Sequence, residues 1–397
     1  MNRIVILGNG FDIAHGLPTG YRDFIKYLRN EFVDFVNKAS KEQIINGHKL
    51  FYFTPADAVQ LNGSNPKKAV FKSTESIKSW DELSIEISVE YNSGHVHKAQ
   101  VSFKNKLLGY TFTSSDSSTW GGFENDYKDV LTNIMQSRPD FGNGIIPRNY
   151  TIKNLNAELA EIIEFLYKYL QKEIEFPKTL NQKILSHLLT TPLRKSRMHN
   201  KYVSRYGEIP IINQHEQTDK LEHVLYLSFN YTSTIQNYLF KSKNFDAIDN
   251  CNLDYNSKNK ITTSLRYIHG DLEDVNPNSL IFGYGDELDE NQAILERSDD
   301  EFLRHIKSVL YTRSPYYREV IDFADADKFD IVIYGHSCSN TDRTLLNALF
   351  EHENCISIQP YLYDQNDTSI YINIYRCFRD KQLMRRRVVD QTSTIRG

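Results

Sequence analysis

The sequence Asn2-Arg-Ile-Val-Ile-Leu-Gly-Asn-Gly10 opens the chain with a short apolar run that stops at a glycine turn. Residues 4–7 are apolar and mostly β-branched, a pattern typical of a parallel strand that helices cover on both faces. Glycines directly after such a strand let backbone amides come close to the phosphates of a ligand. Gly8 and Gly10 also fit a tight strand-to-helix turn without a ligand, because the third glycine of the usual dinucleotide fingerprint is missing.

The composition is that of a soluble globular protein. At 397 residues, of which 40% are hydrophobic and 25% charged, the chain can build one large domain or two ordinary ones. Its net charge of -4 disfavours nonspecific nucleic-acid binding as the main task. The first apolar run is too short for a signal peptide, and no stretch approaches the roughly 18 apolar residues of a membrane span. We therefore expect a cytoplasmic protein that does not contact a membrane.

The rest of the chain repeats the pattern of a short apolar strand followed by an amphipathic helix. Strands are predicted at 4–7, 224–229, 265–270, 280–286, 330–337, 356–358 and 369–374. Helices are predicted at 21–36, 120–135, 154–174, 180–189, 301–310, 316–326, 340–350 and 376–389. This alternation predicts an α/β fold with a doubly wound, mostly parallel, Rossmann-like sheet.

Residues 49–119 have a different pattern of apolar and polar residues. Short runs in which apolar and polar residues alternate lie between turns rich in Asn, Gly and Ser, which predicts an antiparallel β insertion outside the main sheet. The core is then formed by 1–48 and 120–397, and it includes a helical segment at about 150–206. A basic run at 193–206 is either a solvated segment or a contact for phosphate groups.

Small or polar residues follow five of the predicted strands. Because the carboxyl ends of parallel strands line one crevice, these residues should meet at a single ligand-binding edge. Five such ends favour a ligand of nucleotide size more strongly than any one of them does. The five ends are Gly8-Asn9-Gly10, Asn230, His269-Gly270, Gly283-Tyr284-Gly285-Asp286 and Gly335-His336-Ser337.

His269 and Asn230 are the candidate catalytic residues. His269 is the best candidate for a general base, since an imidazole titrates near neutral pH, although a lone histidine is often structural. Asn230 offers both a donor and an acceptor, so it can orient an amide or a ribose hydroxyl, or simply cap a turn. Asp271 either orients His269 or caps a turn.

The candidate ligand-binding residues surround these two. Asp12 would hold a ribose hydroxyl or a substrate water, or it is only an acidic residue at a helix start. Ser337 and Asp342 would contact a second ribose, or one of them caps the helix that follows. The set is completed by Gly8, Asn9, Gly10, Gly283, Gly285 and Gly335.

Several familiar sites are missing from the sequence. It contains no P-loop, no HExxH, no G-x-S-x-G and no cysteine-histidine cluster, and its 4 cysteines have no metal-ligand spacing. No metal site is therefore predicted, although a metal-dependent nuclease or nucleotide hydrolase built from acidic residues stays open as an alternative. Those residues would be Asp12, Glu124, Asp271 and Asp286. A non-catalytic sensor that binds a nucleotide is a further alternative.

The motifs of the chain resemble those of the AbiH family of bacterial phage abortive-infection proteins. The longest is the amino-terminal motif at 2–24, and the others are Trp120-Gly-Gly-Phe-Glu124, Ser228-Phe-Asn-Tyr-Thr232, Ile268-His-Gly-Asp271, Ile281-Phe-Gly-Tyr-Gly285 and Tyr334-Gly-His-Ser337 with Asp342. The resemblance implies a role in anti-phage defence, in which a non-catalytic sensor that binds a phage protein through the β insertion is the alternative to an enzyme. It implies as partners a phage-derived trigger or a neighbouring defence protein, and it leaves a homo-oligomer open.

The order of the motifs is also similar to that of sirtuin-like defence domains that hydrolyse NAD. This resemblance implies a sirtuin-like core that cleaves NAD to nicotinamide and ADP-ribose, with Asn230 and His269 acting on the nicotinamide ribose. NAD would be a substrate and not a prosthetic group. The chain departs from the pattern at Thr232, where Asp is frequent, and at Asn9, where a small residue is usual. It also lacks the four-cysteine zinc site of lysine deacylases, which disfavours protein deacylation.

Overall fold

The computed structural model describes residues 1–38, 48–55, 66–71, 87–91, 96–113, 119–138, 144–174, 184, 221–241, 262–273, 279–289, 291–362 and 368–389. The predicted basic run at 193–206 lies outside these residues. The predicted helix at 180–189 does too, apart from Ile184.

Strands and helices alternate along the chain. The strands are β1 Asn2–Leu7, β2 Phe51–Pro55, β3 Pro66–Phe71, β4 Ile87–Tyr91, β5 Val96–Phe103, β6 His223–Ser228, β7 Thr262–Tyr267, β8 Phe329–Tyr334 and β9 Cys355–Pro360. The helices are α1 Asn9–Ala14, α2 Tyr21–Lys38, α3 Lys106–Thr113, α4 Trp120–Met135, α5 Ile152–Glu173, α6 Thr234–Lys241, α7 Gln292–Leu295, α8 Lys307–Tyr311, α9 Pro315–Ala326, α10 Arg343–Phe350, α11 Ser369–Cys377 and α12 Lys381–Arg387. Short 3-10 helices cover Asp300–Phe302 and Asn340–Asp342.

The main sheet has five parallel strands in the order β7-β6-β1-β8-β9. The chain builds outward from β1 through β6 to β7, and then returns to place β8 and β9 on the other side of β1. The direction of winding thus reverses between β1 and β8. In doubly wound sheets this reversal opens a crevice at the carboxyl ends of the strands.

Both faces of the parallel sheet are covered by helices. Ile4 and Ile6 of β1 belong to a core with side chains of α9, α10 and α11. Val5 and Leu7 belong to a second core with side chains of α1 and α6. This explains why residues 4–7 form one continuous apolar run, because alternate side chains of the strand enter two different cores. The predicted α/β, doubly wound fold is confirmed.

A buried ion pair joins the two central strands near their amino ends. Arg3 and Asp330 are direct neighbours in the pairing of β1 with β8. Nε of Arg3 donates to Oδ1 of Asp330 over 2.9 Å, and Nη2 donates to Oδ2 over 2.7 Å. The fork of the guanidinium satisfies both carboxylate oxygens, so each charge is matched inside the sheet.

The chain forms two compact units. The parallel sheet lies in the unit made of Met1–Thr19, Leu170–Arg297 and Leu303–Gly397. The other unit, made of Gly20–Tyr169 and Ser298–Phe302, contains an antiparallel sheet in the order β2-β5-β4-β3. An antiparallel sheet was predicted for this part of the chain.

Aromatic side chains hold the helices of the second unit together. The ring of Phe24 on α2 lies 5.5 Å from Trp120 at the start of α4 and 5.7 Å from Tyr169 on α5, measured between ring centroids. The helical spacing of apolar residues predicted α2, α4 and α5 almost to the residue, because each helix buries one continuous apolar stripe.

Two of the predicted strands are wrong. Residues 369–374 alternate apolar and polar side chains, but they form helix α11, in which Ile370, Ile374 and Cys377 are buried at helical spacing while Ile372 is exposed. Residues 280–286 form an irregular segment, in which Tyr284 makes an isolated β-bridge with Ile306. In the described part of the chain, no helix has the length and apolar character that crossing a bilayer requires.

Candidate functional site

Polar side chains meet at the carboxyl edge of the parallel sheet. The turns after β1, β6, β7 and β8 lie at this edge because the four strands are parallel neighbours. The irregular segment 279–289 reaches the same edge, where the amide of Ile281 donates to the carbonyl oxygen of His269 over 2.8 Å. The structure therefore brings the predicted strand-end residues to one side of the sheet.

The glycine turn after β1 packs directly on the turn after β8. The amide of Gly8 donates to the carbonyl oxygen of Tyr334 over 3.1 Å, and the amide of Gly10 donates to that of Gly335 over 2.8 Å. A Cβ on Gly8 would lie 2.5 Å from the Cα of His336, so no larger residue fits. Gly335 has a positive φ of 68° and leaves equally little room. These contacts account for three predicted glycines, and phosphate binding by them stays a prediction.

Asn230 links the end of β6 to this turn. Its side-chain nitrogen donates to the carbonyl oxygen of Gly8 over 3.0 Å, and its amide donates to Oγ of Ser228 over 3.2 Å. The side chain is buried. The contact fixes the orientation of the amide group at the crevice, between the candidate residues that follow β1 and those that follow β7.

His269, which follows β7, is buried in a polar cluster that also contains Tyr311, Asp342, Lys307 and His336. Its Nε2 lies 3.2 Å from Oδ1 of Asp342 and 3.1 Å from the hydroxyl of Tyr311. An ionised carboxylate can only accept, so Nε2 carries the proton and Nδ1 of the neutral ring keeps its lone pair. Burial, together with the nearby ammonium group of Lys307, lowers the pKa of His269 to about 4. At neutral pH the ring is therefore uncharged and able to accept a proton.

Asp342 is held by three cationic or donor groups. Nζ of Lys307 donates to Oδ1 over 2.8 Å, and Nε2 of His336 lies 3.4 Å from Oδ2. The amide of Cys338 donates to Nδ1 of His336 over 3.0 Å, which leaves the ring proton on Nε2, facing Asp342. Burial acts to raise the pKa of Asp342, but Lys307 and the two histidines hold it well below its ordinary value.

An ion pair between Asp286 and Arg343 holds segment 279–289 against the start of α10. Nε of Arg343 at the start of α10 donates to Oδ1 of Asp286, and the hydroxyl of Tyr284 donates to Oδ2 over 3.1 Å. A Cβ on Gly285 would lie 2.7 Å from Cβ of Lys307, and one on Gly283 would overlap the carbonyl of His305. Gly285 thus permits close packing on the start of α8 and Gly283 on His305 just before it, and ligand binding by both glycines stays a prediction.

Asp12 is a second buried carboxylate at the same edge. Its Oδ2 accepts a hydrogen bond of 2.6 Å from Oγ1 of Thr232, whose oxygen lies 3.2 Å from Oγ1 of Thr234. Its Oδ1 makes no hydrogen bond with any residue that the structure describes. Burial raises the pKa of Asp12 to about 6, against the hydrogen bonds of the neighbouring polar groups, which lower it.

Other predicted residues lie apart from the buried cluster. Ser337 is exposed, and its carbonyl oxygen accepts from the side chain of Asn373 over 2.9 Å. Oδ1 of Asp271 accepts from the amide of Glu273 over 2.9 Å, which is the turn-capping alternative. The side chain of Asn9 accepts from Thr19. Among the described residues, no group of three or more His, Cys, Asp and Glu side chains is arranged to hold a metal ion.

Three members of the cluster were given no role from the sequence, although His336 was named among the residues that follow β8. His336 stands in the motif after β8, and its position beside Gly335 is the signal that could have found it. Lys307 and Tyr311 lie on α8, which packs against the edge through segment 279–289. No local pattern distinguishes a buried lysine on such a short helix from a solvated one.

A comparison with protein families shows to what the chain is similar. The family described as "Bacteriophage abortive infection AbiH" matches residues 4–363, which include residues 4–7 of β1, all of β8 and every residue of the polar cluster. A search of curated proteins returned no match to the chain.

Proposed function

Because the chain belongs to the AbiH family of bacteriophage abortive-infection proteins, we propose that it acts in phage defence by hydrolysing NAD. The reaction would break the bond between C1′ of the ribose and the nicotinamide nitrogen, and the bonding electrons would neutralise the positive nicotinamide ring. Water would add to C1′ and lose one proton, which gives nicotinamide, ADP-ribose and H⁺. The reaction would take place in the cytoplasm, where a phage-derived trigger or a neighbouring defence protein would control it.

The observation that supports this proposal is the buried contact of 3.2 Å between Nε2 of His269 and Oδ1 of Asp342. With its Nε2 proton directed at Asp342, His269 can use Nδ1 to take a proton from the attacking water or from a ribose hydroxyl. The ring then becomes an imidazolium, and the carboxylate that holds it stabilises the new charge. Lys307 already offsets the charge of Asp342, so the resting cluster is close to neutral.

The place of the cluster also supports a dinucleotide substrate. The crevice between β1 and β8 is where doubly wound sheets bind dinucleotides, and Asn230 lies beside it with its amide group fixed on Gly8. In our proposal, Asn230 orients the nicotinamide ribose or the water. The dinucleotide is consumed as a substrate and is not retained as a prosthetic group.

The test is formation of nicotinamide from NAD by the purified chain, in the presence of a chelator and with or without phage lysate. We expect activity in the wild type and a loss of about 10²- to 10⁴-fold in His269→Ala, since general base catalysis contributes that much. The matched control is His352→Ala. His352 also pairs with an aspartate, Asp325, but it packs on Phe329 at the opposite end of β8.

The outcomes test NAD hydrolysis and the assignment of His269 as the base independently of each other. No nicotinamide under any triggering condition would contradict NAD hydrolysis, and activity only with a divalent metal ion would favour a metal-dependent hydrolase instead. Full activity in His269→Ala would contradict the assignment of the base. In the active enzyme, kcat/KM should fall in acid as His269 gains a proton, and this step should be missing in any residual activity of His269→Ala.

A further inference from the structure

Asp12 is buried in a way that the proposed hydrolysis does not explain. Its side chain is 1% exposed, and its Oδ1 has no hydrogen-bond partner among the residues that the structure describes. A buried carboxylate oxygen without a partner costs free energy, so such atoms in folded proteins usually meet a ligand, a water or a proton. Asp12 lies at the carboxyl edge of the sheet, on the helix that follows the glycine turn after β1.

The other carboxylate oxygen is held in place by two threonines. Thr232 donates its hydroxyl proton to Oδ2 of Asp12 and can then only accept from Thr234, so the three side chains form a directed chain that ends on Asp12. Both hydroxyls are buried. The carboxylate is therefore oriented before any ligand arrives, which lowers the cost of binding to its second oxygen.

The set of Asp12, Thr232 and Thr234 is separate from the cluster around His269. Asp12 lies on α1 and Thr234 on α6, and these helices cover one face of the sheet. Tyr311 belongs to the core on the other face, together with Ile268, which precedes His269, and Leu345, which lies three residues after Asp342. Asn230, at the end of β6, lies near Asp12, and its side chain lowers the pKa of that carboxyl.

We propose that Asp12 is a binding residue that accepts a sugar hydroxyl of the substrate through Oδ1, while Thr232 and Thr234 hold Oδ2. This inference rests on the proposed function, because it assumes a ligand that carries ribose. A hydroxyl donor fits Oδ1 because an ionised carboxylate accepts strong, short hydrogen bonds. No cationic side chain hydrogen bonds to Asp12 among the described residues, so the ligand meets a carboxylate whose charge is not already matched.

The probe for this subsite is ADP-ribose, whose binding is measured by calorimetry at several pH values. We expect the wild type to bind more tightly as Asp12 ionises near pH 6, since only the carboxylate accepts at both oxygens. We expect Asp12→Asn to bind at least tenfold more weakly above pH 7 and to lose this pH dependence. Asp322→Asn makes the same chemical change on the exposed side of α9 and should bind like the wild type.

Two further variants identify the titrating group. Thr232→Val removes the hydrogen bond that lowers the pKa of Asp12, so the midpoint of the pH dependence should move upward. The titratable groups near Asp12 in the described structure are His15, on the same helix, and the Tyr267 phenol. Burial raises the pKa of Tyr267, so it stays protonated, and His15→Gln should leave the pH dependence unchanged.

These measurements distinguish a failure of the Asp12 subsite from a failure of the proposed hydrolysis. Failure of the wild type to bind ADP-ribose would overturn the subsite. Binding by Asp12→Asn equal to the wild type would also overturn it, and would mean that an ordered water alone satisfies Oδ1. Weakened binding in a folded Asp12→Asn supports the subsite even if the wild type releases no nicotinamide, in which case only the proposed hydrolysis fails. Release of nicotinamide by the wild type with unchanged binding by Asp12→Asn would leave the hydrolysis standing and overturn the subsite alone.

Discussion

Asp12 and Asp342 are two buried carboxylates at one edge of one sheet, and their surroundings give them opposite acidities. Asp12 is 1% exposed and Asp342 is 7% exposed, so burial penalises the charge of both. Asp342 faces an ammonium group and two imidazoles, which lower its pKa. Asp12 faces hydroxyl and amide groups, which reduce but do not cancel the effect of burial, and its pKa rises to about 6.

The comparison shows that the charge of the partner, more than the depth of burial, sets the protonation state of a carboxylate here. A carboxylate that stays ionised can hold and stabilise a histidine that works as a base. A carboxylate that titrates near neutral pH can exchange its proton for a hydrogen bond with a ligand. Two environments thus suit one residue type to two different tasks, and active sites commonly use this division.

Removing the partner charge of Asp342 should have the largest effect on stability. Lys307→Met leaves a buried carboxylate without its cation, and losing one member of a buried pair costs about 3–5 kcal/mol in the free energy of unfolding. Urea unfolding measures this loss. Lys328→Met, on an exposed lysine of the same unit, should change the free energy by less than about 0.5 kcal/mol.

The double variant Lys307→Met, Asp342→Asn isolates the ionic part of that loss. It removes both charges and keeps an oxygen that accepts from His269, so it should recover much of the stability that Lys307→Met loses. If the double variant were as unstable as the sum of the two single variants, Lys307 would contribute through packing and not through its charge.

Replacing Asp12 should have a smaller effect of opposite sign. Its pKa is about 6 in the folded chain against the ordinary 3.8, so the folded state favours the protonated acid. Its contribution to stability is complete below pH 3.8 and is lost as pH rises through about 6. Asp12→Asn removes this loss, so the variant should be more stable than the wild type by about 2–3 kcal/mol at pH 8 and by little at pH 4.

Thermal or urea unfolding at the two pH values checks this. A stability difference that does not change between pH 4 and pH 8 would show that folding does not raise the pKa of Asp12. A variant that gains stability while it loses ADP-ribose binding would show that the buried charge of Asp12 serves ligand binding and lowers the free energy of unfolding.

Much of the fold could be predicted because its strands are buried on both faces. Residues 4–7 and 331–334 are continuous apolar runs, which predict central parallel strands. Residues 369–374 could not be assigned this way, since Ile370, Ile372 and Ile374 fit a strand by alternation. Residues 369–374 are helical in the folded chain, where α11 packs against α10. A local sequence pattern does not contain this contact between two separate elements.

The site was predicted only in part for a related reason. His269 and Asp342 each follow a strand-like run and a polar or glycine-rich motif, so the edge rule for parallel sheets brings them together. Lys307 and Tyr311 come from a helix whose position depends on how segment 279–289 packs. The acidity of Asp12 also depends on Thr232, which is distant in sequence. The elements follow from local patterns, whereas the electrostatics depend on the assembled neighbours.

The smallest expected effect belongs to the exposed counterpart of the Asp342 pair. Asp325 lies 3.0 Å from Nε2 of His352, which is close to the separation of Asp342 and His269, but the side chain of Asp325 is 63% exposed. Water screens this pair, so Asp325→Asn should change the free energy of unfolding by less than about 1 kcal/mol at pH 6. The change should shrink further in high salt. A loss similar to that in Lys307→Met would mean that a His–Asp contact alone stabilises this fold, and that the buried Lys307 is not what distinguishes Asp342.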